Sequence, residues 1–185
     1  PPTRVRRRLH PVFRLLFVGD EAPRKGLTEL IDDLSRQPLI SGRQIELLCV
    51  GGAMPDRTRI SGIRIISLGR LDATGMQRAY ERVDAAIIAS LKEPWGFVFN
   101  EAILTHTPCV VSRHAGSATV AAKFGLAYDV GKPKTLNQAL ERATTMTRDE
   151  FDAIANELSV VKAAGSFHRF IGALREPSAQ VFQDY

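Results

Sequence analysis

Ala85-Ala86-Ile87-Ile88-Ala89-Ser90-Leu91-Lys92-Glu93-Pro94-Trp95-Gly96-Phe97-Val98-Phe99-Asn100-Glu101 decides the fold of this chain. The stretch opens on a continuous apolar run, crosses a turn holding Pro94 and Gly96, and enters a helix predicted over 100–107. A run that is apolar at every position, not at alternate ones, suits a strand buried on both faces, as in a parallel sheet. Two carboxylates, Glu93 and Glu101, flank the place where strand hands over to helix. In open α/β sheets this edge is where ligands bind. Gly96 lets backbone come close to a ligand. Free N–H groups at a helix start hold anionic or polyhydroxyl groups.

Working outward, the same alternation recurs. Strands are predicted at 13–18, 45–50, 63–68, 85–89 and 108–112, and a weaker one at 126–130. Helical stretches lie between them at 26–36, 74–83, 100–107 and 118–124. Met76, Ala79, Tyr80 and Val83 recur at helical spacing. Strand and helix in repetition predict an α/β fold: a Rossmann-like doubly wound parallel sheet with helices on both faces. The last third is helical, with helices predicted at 136–146, 149–164 and 167–174, and Pro177 ending the pattern. No internal repeat or low-complexity tract is read.

A length of 185 residues bounds the chain to about one domain. Its 44% apolar and 24% charged residues are those of an ordinary soluble globular protein. No apolar stretch nears the roughly 18 residues that span a bilayer. The start, Pro1-Pro2-Thr3-Arg4, has neither a methionine nor a signal-peptide pattern, which fits a fragment, an excised domain or a processed start. Cys49 and Cys109 each sit in an apolar run and read as buried thiols, as suits a reducing cytosol. Net charge is +5, part of it local to Arg4, Arg6, Arg7, Arg8 and Arg14. A basic arm can dock on nucleic acid or anionic lipid. No aromatic residues interleave these arginines, so a solvated linker is the preferred reading and no nucleic-acid partner is expected. Motifs for zinc, for a P-loop, for a dinucleotide fingerprint after the first strand and for a nucleophile elbow are all missing.

Five stretches, in order, resemble one known family. They are Phe17-Val18-Gly19 with Arg24-Lys25-Gly26; Leu48-Cys49-Val50-Gly51-Gly52; Ile65-Ile66-Ser67-Leu68-Gly69; Glu93 to Glu101, two glutamates with seven residues between them; and Pro108-Cys109-Val110-Val111-Ser112 with Ala115-Gly116-Ser117. Together, over residues 13–146, they are similar to the C-terminal, nucleotide-sugar-binding half of a family 4 retaining glycosyltransferase, whose GT-B architecture pairs two Rossmann-like domains. The chain departs from the family pattern at three places. Asp20 stands where an arginine often follows the first glycine, and Arg24 is the nearest substitute. Val120 stands near the position of a further glutamate. Pro94-Trp95-Gly96 replaces a Gly-Phe-Gly turn.

The resemblance implies a role for each of these residues. Lys25, at the start of the first helix, and Arg24 face the donor diphosphate; locally Lys25 also reads as a plain helix-surface lysine. Lys25 and Glu93 are the expected catalytic residues. Glu93 lies beside the transferred sugar and supports positive charge at its anomeric carbon. Glu101 takes the ribose diol. Gly69, Arg70 and Leu71 border the base. Gly96, Phe97 and Val98 offer backbone N–H groups. Trp95 is either a sugar platform or packing for the turn, and His114 reads as a polar loop residue.

The expected activity is transfer, with retention, from a UDP- or GDP-sugar to a surface glycan or glycolipid acceptor, as in lipopolysaccharide or capsule synthesis. Neither a cofactor nor a metal is expected. The acceptor, a glycan or lipid-linked glycan, would be held through an N-terminal domain outside this sequence. The expected location is the cytoplasm, either free in it or peripheral to the inner face of the membrane. The expected division is a basic linker at 1–12, a donor-binding domain at 13–147 and C-terminal helices at 148–185. The rival readings are a catalytically degenerate nucleotide-binding or scaffold domain and a sugar-nucleotide epimerase of the same fold.

Overall fold

The computed structural model describes residues 11–20, 23–52 and 58–161. In chain order the strands are β1 (Phe13–Val18), β2 (Leu39–Ile40), β3 (Arg43–Val50), β4 (Thr58–Ile60), β5 (Ile63–Gly69), β6 (Ala85–Ile88), β7 (Cys109–Ser112) and β8 (Ala127–Tyr128). The helices are α1 (Leu27–Arg36), α2 (Ala73–Glu81), α3 (Val98–Leu104), α4 (Ala118–Ala121), α5 (Pro133–Ala143) and α6 (Arg148–Val161). Short 3-10 turns lie at Pro23–Lys25 and Ala122–Phe124.

The predicted fold is observed. The sheet runs β4-β5-β3-β1-β6-β7-β8, with β5, β3, β1, β6, β7 and β8 all parallel. Helices cover both faces. β1 and β6 are central because their residues can lose both faces to water: every residue of β6 is buried, and Phe13, Leu15, Leu16 and Phe17 of β1 are fully so. The chain winds outward through β1, β3 and β5, then returns to place β6 on the other side of β1. The strand order therefore reverses between β1 and β6, which in this class of sheet opens a crevice at the strands' carboxyl ends.

Two short strands go beyond the predicted pattern. β2 and β4 are antiparallel, each folded back on its successor through a two-residue turn. Ser41 and Gly42 have φ 49° and 74°, and Ser61 and Gly62 have φ 49° and 87°. Positive φ at both central residues matches the right-handed strand twist of a tight hairpin. Strands of two and three residues are too short to show any periodicity. The signal present was the Ser-Gly pair itself, in the repeated Ile-Ser-Gly of 40–42 and 60–62.

Some boundaries also move. α3 begins at Val98, two residues before the predicted start, so Glu101 lies in its first turn. α5 begins at Pro133, whose fixed φ and missing N–H suit a first helical turn. Phe151, Ile154 and Leu158 of α6 join the main core. Asp33 lies on the buried face of α1, where its Oδ2 accepts from the Gly131 N–H at 2.9 Å. Burial raises its carboxyl above the ordinary range, with the Gly131 bond opposing.

Arg14 is a correction. Although grouped with the arginines of the basic arm, it lies in β1, within the predicted strand 13–18, and its Nε donates to Glu46 of β3 at 2.8 Å. Arg64 of β5 donates to the other Glu46 oxygen at 3.0 Å. A carboxylate that is 3% exposed needs such partners, and the strand register supplies them side by side. Arg4, Arg6, Arg7 and Arg8, and the helix predicted at 167–174, lie outside the described residues. Both cysteines are buried free thiols, and burial pushes the Cys49 thiol up to about 12.

Candidate functional site

A cavity of about 280 Å³ opens at the carboxyl ends of β1 and β6, where the strand order reverses. Its floor is apolar, formed by Phe17, Val18 and Ile88. Its polar walls come from Lys25, Ser90, Glu93 and Glu101, with the backbone of Gly96, Phe97 and Val98 along one rim.

Lys25 ends the 3-10 turn that precedes α1 rather than starting the helix itself. Between them Gly26 adopts φ 69° as the helix cap. The turn is tied to the chain leaving β6, for the Leu91 N–H donates to the Arg24 carbonyl at 2.8 Å. That placement brings Lys25 Nζ to Glu93 Oε2 at 2.7 Å. Arg24 stands 3.5 Å from the same oxygen and is about half exposed.

Glu93 is held by its backbone. Its N–H donates to the His114 carbonyl at 3.2 Å, and its carbonyl accepts from the Gly116 N–H at 3.1 Å. The loop after β6 thus lies along the loop after β7. The approach is close enough that a Cβ on Gly116 would sit 2.1 Å from the Pro94 carbonyl oxygen. Gly96 has φ 90°, and a Cβ there would meet Ile88 Cδ1 at 2.7 Å. Both positions therefore require glycine.

Glu101 faces the cavity from the first turn of α3, and Tyr80 of α2 donates to its Oε2 at 2.7 Å. Burial raises the Glu101 carboxyl above its ordinary range, and the Tyr80 bond opposes that rise by favouring the ionised form. In the sequence Tyr80 stands out only as part of a helical period. A tyrosine on a buried face needs a partner for its hydroxyl, and that requirement was the available signal. Ser90 was also missed; its Oγ lies 3.4 Å from Glu93 Oε2.

The Trp95 indole N–H donates to Asn100 Oδ1 at 2.7 Å, and the ring packs against the core. Of the two readings for Trp95, its contacts are those of packing within the turn. Phe97 is 63% exposed, so a role in the site falls to its backbone. The N–H groups of Gly96, Phe97 and Val98 have no backbone acceptor among the described residues. His114 is exposed.

Gly69, Arg70 and Leu71 do not line the cavity. Gly69 ends β5 and Arg70 and Leu71 follow it; β5 is separated from β1 by β3, so all three stand farther along the same carboxyl edge. Gly69 has φ 65° with open space where a Cβ would be. Arg24 is likewise outside the lining and reaches it only through Glu93. Among the described residues no group of three or more His, Cys, Asp or Glu is placed to hold a metal ion. None of the described helices is long and apolar enough to cross a membrane.

Residues 12–145 match the sequence profile of the family described as "Glycosyl transferases group 1". An uncharacterized glycosyltransferase of Methanocaldococcus jannaschii is 31% identical over 110 residues, covering 55% of this chain and 27% of that protein. Among solved structures, sucrose-phosphate synthase of Thermosynechococcus elongatus superposes with a TM-score of 0.63 at 21% identity, over 89% of this chain and 47% of that one. The catalytic domain of cholesterol-α-glucosyltransferase from Helicobacter pylori gives 0.63 at 16% identity, over 78% of this chain and 98% of that one. Anabaena HepE, solved in complex with UDP-glucose, gives 0.54 at 20% identity, over 80% and 49%. These likenesses establish the shared fold. The chain spans about a quarter of the curated relative and about half of the synthase.

Proposed function

Because this chain belongs to the group 1 glycosyl transferases, we propose that it is the donor-binding half of a retaining, GT-B-type enzyme that uses a UDP- or GDP-sugar. One observation carries the proposal: a cation, two carboxylates and a rim of backbone N–H groups without a backbone acceptor among the described residues converge on one cavity at the strand-order reversal. In this reading residues 13–147 form the donor unit and 148–185 the C-terminal helices. The acceptor, a glycan or lipid-linked glycan, is bound by a further domain. The UDP-glucose complex of a protein with this fold supports the donor class.

Each part of a sugar nucleotide meets a matching group. Lys25, with Arg24 behind it, takes the diphosphate through charge-assisted hydrogen bonds worth roughly 1.5–3 kcal/mol each. As the glycosidic bond breaks, negative charge grows on the leaving diphosphate, and the same contacts strengthen in the transition state. The rim N–H groups of Gly96, Phe97 and Val98 serve the β-phosphate or sugar hydroxyls. Glu93 accepts from the sugar and steadies positive charge at its anomeric carbon. An ionised Glu101 accepts from the ribose diol, and Gly69, Arg70 and Leu71 border the base. No metal enters this scheme.

The test is calorimetric titration with UDP, GDP and their sugars, without metal, beside Glu101→Ala. Saturable binding of one nucleotide, reduced at least about tenfold by the substitution, is expected. No binding by this chain or by the full-length protein would instead favour the degenerate-site reading. Altered donor without any acceptor would favour the epimerase.

Tyr80→Phe adds a pH dependence. Without the tyrosine hydroxyl the ionised form of Glu101 loses a donor, so its carboxyl rises further. Since ribose binding needs the carboxylate, affinity is lost as pH falls through the Glu101 pKa. The variant is expected to lose it at a higher pH than the wild type. Coincident pH profiles of nucleotide affinity would remove Tyr80 from the site.

A further inference from the structure

At the rim of the cavity two cations share one carboxylate. Glu93 Oε2 lies 2.7 Å from Lys25 Nζ and 3.5 Å from the Arg24 guanidinium, with Ser90 Oγ at 3.4 Å. The Lys25 and Glu93 side chains are only 20% and 14% exposed, so salt screens their pairing weakly. In the unliganded site, then, a carboxylate already holds the place on Lys25 that an anionic ligand would take.

We propose that Glu93 is an internal counter-ion that competes with phosphate for Lys25 and Arg24, making the site select sugar-bearing nucleotides over free nucleoside diphosphates. This rests on the donor-site reading above and adds its selectivity. A free nucleoside diphosphate can reach Lys25 only by displacing Glu93. The displaced carboxylate then faces the phosphates with no cation of its own, and like charges so close repel. A sugar nucleotide also displaces Glu93, but it brings hydroxyl donors beside the phosphates. These can satisfy the carboxylate again, so displacement is compensated only when the sugar is present. The Glu93 backbone is anchored at both its N–H and its carbonyl, so the side chain can change partner without moving the loop. After transfer the same repulsion speeds departure of the nucleoside diphosphate.

The test is titration of the intact protein and of Glu93→Gln with inorganic pyrophosphate, UDP, GDP and the corresponding sugar nucleotides. Wild type is expected to bind the sugar nucleotide more tightly than the free nucleoside diphosphate. Glu93→Gln removes the negative charge and leaves Lys25 and Arg24 open, so pyrophosphate and the nucleoside diphosphate should bind about tenfold tighter or more. Affinity for the sugar nucleotide should change less, so the preference shrinks. Adding Lys25→Gln to Glu93→Gln should abolish most of the gain, which a merely structural role for Glu93 would not do. Equal or weaker binding of the free nucleoside diphosphate by Glu93→Gln, in a protein whose wild type binds, overturns this inference and leaves the donor-site reading standing. The opposite order of affinities in the wild type overturns it without any variant. Failure of every probe to bind either protein overturns both.

Discussion

Gly26→Ala should destabilise the fold by about 2–5 kcal/mol and take Lys25 out of the site. Gly26 adopts φ 69°, a conformation that costs a residue with a Cβ roughly 1–2 kcal/mol. A Cβ there would also stand 2.1 Å from the Ala89 carbonyl oxygen and 3.0 Å from its carbon. That obstacle is backbone at the end of a central strand, so it cannot swing away as a side-chain tip would. The clash opens by moving the turn at 23–25 off the loop after β6. Such a shift strains the Leu91 N–H to Arg24 carbonyl bond and parts Lys25 from Glu93. Gly42→Ala is the control: its φ is 74°, but a Cβ there meets nothing within 4 Å, so it carries the backbone cost alone. Denaturant midpoints for both variants, with nucleotide titration of Gly26→Ala, check this. Equal losses of stability would mean that the close approach to Ala89 is not what demands glycine.

The second large effect is expected at Glu46, far from the cavity. Glu46→Ala should cost about 2–4 kcal/mol, somewhat below the usual loss for breaking a fully buried pair, because Arg64 is half exposed and Arg14 keeps some access to water. The strand register sets Arg14, Glu46 and Arg64 in one row across β1, β3 and β5. Removing the carboxylate leaves Arg14 packed in the sheet without its counter-ion. Asp32→Ala is the comparison: its pair with Arg36 is more than half exposed on both sides, and such a pair contributes about 0.3–0.5 kcal/mol. Chemical denaturation of the two variants decides the matter. Similar midpoints would show that the row across the sheet contributes no more than a surface pair.

Much of this molecule was legible before any fold was known. β1 begins and ends at its predicted residues, because Phe13, Leu15, Leu16 and Phe17 within it all leave water. β6 and β7 followed from the same continuous apolar character. The turn from Glu93 to Gly96 stood out as a strand-to-helix junction. β2 and β4 escaped because their pairing depends on turn geometry at Ser41-Gly42 and Ser61-Gly62, not on any apolar period. Arg14 fell within the predicted first strand, but its pairing with Glu46 escaped, because charge alone does not tell an exposed arginine from one paired within a sheet.

By itself, then, the sequence determined the alternation of strand and helix, the buried character of the central strands and the family resemblance. Those properties depend on a residue and its near neighbours, through periodicity, apolar content and short motifs. The tertiary structure alone decided which groups share a charge or a proton. Lys25 meets Glu93 across 68 residues of chain, Tyr80 meets Glu101 across 21, and Gly131 meets Asp33 across 98. Whether a carboxylate is paired, buried or open to a ligand is settled within a few ångströms, because charge interactions and hydrogen bonds act over that range. Only the winding of the chain that sets β6 beside β1 brings those groups to such distances.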